Sequence, residues 1–192
     1  MSGENYKKEG DIPGHVKKAN LEVMITITKQ MENSVSKVYG NELIGTGFFC
    51  VIQNMKEWNP QLLYVLMTNN HVLGEEDIKP NKQINISLNN DKKKLKITID
   101  ESRKVFTSVK YDVTIIEMKP NDGINKDSFM EIDKDIFKDD FKETFGKKSI
   151  YLLHYPKGKE ICKLEEIIKN IGEEIIQLGI IVTAIMDHQE VL

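Results

Sequence analysis

The chain is poor in cysteine, with only Cys50 and Cys162 among 192 residues, which excludes a disulfide framework and points to a reducing, cytoplasmic setting. It has no long apolar run. The greasiest stretch, Ile175 to Met186, is broken by Gln177 and too short for a bilayer, so no membrane span is expected. Met1 to Asn20 lacks the apolar segment of a secretory signal. No charge sign dominates either: 27 basic and 30 acidic residues are interspersed, leaving a net −3. Nucleic-acid binders carry a concentrated basic face, so nucleic acid is not an expected partner. The one basic run, Lys92-Lys93-Lys94, reads as a solvated hairpin tip. His15, His154 and His188 share no zinc-type spacing with one another or with the cysteines, so neither a metal nor a cofactor is expected.

What is present is a run of short β segments. At 192 residues and 40% hydrophobic, the chain can bury a sizeable core. Residues 1–30 read as an N-terminal extension, a tail or an appended strand, given Pro13, Gly14 and scattered lysines. From Ser34 onward, strands are expected at Val35–Tyr39, Leu43–Gln53, Leu62–Thr68, Gln83–Leu88, Leu95–Ile99 and Val113–Met118. Asn89-Asn90-Asp91 joins two of them with residues that tolerate positive φ, a hairpin signal. About six strands at this spacing suit a small antiparallel barrel over residues 31–120. Residues 121–148 are charged and poor in β-branched residues, as in a linker, and Ser149–Tyr155 is a further strand ended by Pro156-Lys157-Gly158.

Two polar residues stand at strand ends. His71 follows the apolar run Leu62–Thr68, and Asp112 precedes Val113–Met118. An imidazole that takes a proton and a carboxylate that fixes its tautomer are the two halves of a serine-type base, and strand ends can bring them together. Around them, Gly45-Thr46-Gly47-Phe48-Phe49, Thr68-Asn69-Asn70-His71-Val72 and Tyr111-Asp112-Val113-Thr114-Ile115-Ile116 resemble the histidine and aspartate motifs of trypsin-like (chymotrypsin-fold, PA clan) serine proteases. Ile150 to Gly158, with Tyr155-Pro156-Lys157-Gly158, is similar to a second-barrel strand and turn of intracellular members. The resemblance covers roughly residues 32 to 178. It implies an all-β, chymotrypsin-like double barrel with a complete first barrel and an incomplete second barrel at 149–192. It also implies His71 as general base, Asp112 as its orienting partner, and a peptide or protein as substrate. The oligomeric state is left open.

The family's nucleophile is missing. The last serine is Ser149, and no Gly-x-Ser-Gly-x-Pro follows it. Cys162 and Cys50 both read as buried, inert thiols rather than substitutes. Met186-Asp187-His188-Gln189-Glu190-Val191-Leu192 is compatible, in a frame opening on the last base of the methionine codon, with Gly-Ser-Ser-Gly-Ser-Pro. A one-base frameshift from about Gly179 would explain the missing motif. Two readings of the tail stand: a hairpin of Glu165–Ile171 and Glu174–Ile181 around Gly172, or an amphipathic helix over residues 164–185 that docks on the barrel or pairs with another chain. The expected outcome is a peptidase homologue inactive in this form, with a non-catalytic peptide- or protein-binding module as the alternative.

Overall fold

The structure, a computed structural model, describes residues 21–53, 62–133 and 149–167. Among the described residues the fold is mostly β, a curled sheet and a separate two-stranded sheet with one α-helix. Its elements are α1 (Leu21–Asn33), β1 (Val35–Tyr39), β2 (Ile44–Gln53), β3 (Leu62–Thr68), β4 (Gln83–Leu88), β5 (Lys93–Thr98), β6 (Val105–Ser108), β7 (Val113–Glu117), β8 (Met130–Glu131), β9 (Ser149–His154) and β10 (Cys162–Ile167).

The main sheet runs β5-β4-β1-β2-β3-β7-β6, with antiparallel pairing between neighbours throughout. β2 is long enough to serve three partners: β3 along one edge, and β1 then the short parallel β8 along the other. Alternation sends Val38, Phe49, Leu66, Ile84, Ile86, Ile97 and Ile116 into the concave side, where all are fully or nearly fully buried. Burial of each such side chain contributes on the order of 2 kcal/mol.

Among the described residues, no backbone pairing joins the two ends of the strand path, β5 and β6. Arg103 spans the gap instead. Its Nε donates to Thr98 O at the end of β5 (3.0 Å) and one Nη to Glu117 O at the end of β7 (2.6 Å). The guanidinium is held at the same time by both oxygens of Asp122 at 2.7 and 2.9 Å. The planar fork of arginine suits this fourfold task, which a lysine could not perform.

On the opposite face, α1 and the β9–β10 hairpin pack against β1. Ile27 packs there with Val35, Leu153 and Tyr155. The Tyr155 N–H donates to Thr46 Oγ1 at 2.9 Å, and the turn after it brings Gly158, at φ 67°, against Ile44. Beside this contact lies a buried cation. Lys37 Nζ meets Asp91 Oδ2 at 2.6 Å and sits 5.3 Å from the centre of the Tyr155 ring. Asp91 also accepts from Ser87 and Tyr39 hydroxyls at 2.6 and 2.5 Å.

Several expectations change. Leu21–Asn33 is a helix rather than a tail or an appended strand, because Val23, Ile27 and Met31 recur at helical spacing and pack as one face. Val105–Ser108 is a strand that the sequence pattern does not reveal, and Met130–Glu131, within the expected linker, pairs with β2. Cys50 is buried, and burial pushes its thiol up to about 12. Cys162, expected to be buried, is exposed, since it opens β10 at the rim of its two-stranded sheet. The hairpin around Asn89-Asn90-Asp91 forms as expected, with all three residues at positive φ. The frameshift reading, the second tail strand and the helix over 164–185 fall wholly or largely outside the described residues, as do His15 and His188.

Candidate functional site

β3 and β7 are antiparallel neighbours with Thr68 opposite Thr114. The residues just past one end of β3 and just before β7 therefore emerge at the same edge of the sheet. β3 runs into a single helical turn in which Asn69 O accepts the N–H groups of Val72 (3.2 Å) and Leu73 (3.1 Å). That turn raises His71 clear of the sheet while Val72 and Leu73 plug into the core. Two glycines make room for it: a Cβ on Gly40 would strike the Val72 carbonyl, and one on Gly45 would strike the Val72 side chain. β6 and β7 are joined by a tight turn closed by Asp112 N–H to Val109 O at 3.2 Å, with Asp112 itself at φ 47°. Left-handed backbone is tolerated by aspartate better than by most residues, and in this conformation the carboxylate faces the histidine turn.

The two residues meet. His71 Nδ1 lies 2.7 Å from Asp112 Oδ2, and the His71 backbone N–H donates to Asp112 Oδ1 at 2.9 Å. Asn69 Nδ2 donates to Asp112 Oδ2 at 3.1 Å. Burial pushes the Asp112 carboxyl up, but the His71 backbone N–H, the His71 ring and the Asn69 amide together outweigh it and hold the group below its usual value. At neutral pH the carboxylate is therefore ionised and acts only as an acceptor. A neutral His71 ring must then present N–H at Nδ1, which leaves the lone pair on Nε2 pointing away from Asp112. The His71 side chain is 59% exposed and that of Asp112 38%, so the free nitrogen is accessible from outside.

A second layer fixes the turn. Asn70 Nδ2 donates to Thr107 Oγ1 at 2.7 Å, Thr107 and Thr114 share a hydroxyl bond of 2.7 Å, and Thr114 donates to Leu73 O at 2.7 Å. Thr68 Oγ1 donates to Thr46 O at 2.9 Å. Asn69, Asn70, Thr107 and Thr114 carry no signal in the sequence that sets them apart from other polar residues near turns.

Among the described residues, the hydrogen bonds of the His71 ring end on Asp112, and no hydroxyl or thiol is bonded to it. No group of three or more His, Cys, Asp or Glu side chains is placed to hold a metal ion among those residues. No helix there is long and apolar enough to cross a membrane. An apolar rim flanks the pair: Phe106, Val109 and Tyr111 are all exposed on β6 and the turn that carries Asp112. No protein-family model and no curated protein matches the chain.

Proposed function

We propose that the chain is a homologue of trypsin-like serine peptidases, carrying the base and orienter of a peptide-cleaving site without its nucleophile. The observation that carries this reading is the contact of His71 Nδ1 with Asp112 Oδ2 at 2.7 Å, made by two turns at one edge of a curled antiparallel sheet. In a complete site His71 Nε2 takes the proton of an attacking serine hydroxyl, and Asp112 stabilises the imidazolium that results. No serine follows Ser149 in this sequence. The polypeptide should accordingly show no turnover on a panel of fluorogenic peptides, and turnover blocked by serine-directed inhibitors would contradict that. Homology itself is tested through the coding DNA. Where the overlapping frame at Met186 is open, the protein made by following it should hydrolyse peptides, and His71→Ala should abolish the activity. A restored chain that neither cleaves peptides nor reacts with a fluorophosphonate would remove the reading. On this proposal the main sheet is the first barrel of a double-barrel fold, and β9–β10 belongs to the second.

A peptide-binding module without catalysis is the second reading. It is favoured by the exposed apolar rim on β6, an outer strand of the sheet, where an extended chain can be added. Titration of the unaltered protein with extended apolar peptides distinguishes the two, because saturable binding without cleavage before and after frame restoration fits the module alone. A cytoplasmic setting is in keeping with two free cysteines, one of them exposed. Recovery of Cys162 from cells in a disulfide would contradict it.

A further inference from the structure

We propose that Asn69 is the positioning residue of the His71–Asp112 pair, selecting the tautomer that leaves Nε2 free. The proposal rests on reading the pair as base and orienter. Asn69 Nδ2 lies 3.1 Å from Asp112 Oδ2 and 3.2 Å from Asp112 O. Both are acceptors, so the amide must present its NH2 end to them. Oδ2 is also the oxygen that faces His71 Nδ1, and Oδ1 is occupied by the His71 backbone N–H. Three donors thus define the plane of one carboxylate, and only Asn69 acts from outside the histidine itself.

The same amide holds the Asp112 carbonyl, which belongs to a residue at φ 47°. It therefore secures both ends of a left-handed conformation that most residues avoid. The Asn69 carbonyl meanwhile accepts the two N–H groups that form the turn under His71. One residue consequently links the turn that carries the base to the turn that carries the orienter. Asn70 provides the contrast: its amide bonds Thr107 and anchors the same turn without reaching Asp112.

Imidazole in water favours neither tautomer strongly, so the ratio of Nδ1–H to Nε2–H forms of neutral His71 reports how well the carboxylate is held. With 15N-labelled histidine, the nitrogen shifts of unaltered protein should show the Nδ1–H form dominant. Asn69→Ala should lower the ratio about tenfold, the size expected from one hydrogen bond to a charged group. Thr107→Val should lower stability and leave the ratio unchanged. A folded Asn69→Ala protein with an unaltered ratio, or an equal shift in Thr107→Val, would overturn the proposal. Should Asn69→Ala fail to fold, the unaltered protein still decides. Its Asn69 side-chain NH2 signals should move as the His71 ring protonates and should exchange with water more slowly than those of exposed Asn121; failure on either count refutes the role. Each readout is of the ring or the amide, so absent peptidase activity leaves the result standing, and a failed result leaves the homology untouched.

Discussion

Asp91 and Asp112 occupy matching situations in two separate turns, and their differences separate an enclosed pair from one presented to solvent. Each sits in a tight turn at positive φ, 68° and 47°, and each faces a basic side chain across about 2.6–2.7 Å. Each also gathers further donors, the Ser87 and Tyr39 hydroxyls for Asp91 and the Asn69 amide with a backbone N–H for Asp112. The basic partners differ. Lys37 is buried with Tyr155 over it, and its ammonium serves only as a donor. His71 stands out in solvent and keeps one ring nitrogen outside the pair. Similar hydrogen bonding thus produces an enclosed clasp at Lys37 and leaves a ring nitrogen facing solvent at His71.

The comparison can be broken first at the enclosed pairs. Arg103, tied to Asp122 and to two strand-end carbonyls, should be the most sensitive. Arg103→Ala leaves two strand-end carbonyls without their donor and a largely buried carboxylate with only the Lys119 N–H, and should lower the unfolding free energy by about 3 kcal/mol in urea titrations. Lys37→Ala should cost less, about 2 kcal/mol, because Asp91 retains two hydroxyl donors and partial access to water.

Acid should act next. The Lys37 ammonium, with Ser87 and Tyr39, holds the Asp91 carboxyl well below the usual carboxylate range. As pH falls the unfolded chain protonates first, so the stability this group supplies is complete above the unfolded value near 4 and is lost below it. Urea midpoints should be nearly level from pH 7 to 5 and fall below about 4. Asp91→Asn should flatten that fall. A slope unchanged by the substitution would reassign acid sensitivity to other carboxylates, such as Asp100 beside Lys119.

The smallest effect on stability belongs to the presented histidine. His71→Ala should shift stability by no more than about 1 kcal/mol, as for other solvent-accessible pairs. A loss as large as that of Arg103→Ala would make the pair a structural clasp after all.

The sequence already brought His71 and Asp112 to one edge, since both abut apolar runs that alternate or bury as strands, and the Asn89-Asn90-Asp91 turn fixed the register of a hairpin between them. What it could not disclose follows from how little local signal is involved. Val105–Ser108 is four residues long and half exposed, so it buries too little to form a pattern. α1 is rich in β-branched residues, and only tertiary packing of Val23, Ile27 and Met31 overrides that preference. Lys37 reads as an ordinary strand lysine until Asp91 and Tyr155 close over it. Asn69 reads as a spacer before a histidine, because a donor's role depends on an acceptor 43 positions away.

The most direct test of the account is the low-field proton spectrum of the unaltered protein near freezing at neutral pH. A short hydrogen bond from imidazole to an ionised carboxylate predicts a strongly deshielded Nδ1 proton, assignable to His71 and missing from Asp112→Ala. Its absence from the unaltered protein, or its persistence after the carboxylate is removed, would contradict the pairing on which the functional reading stands.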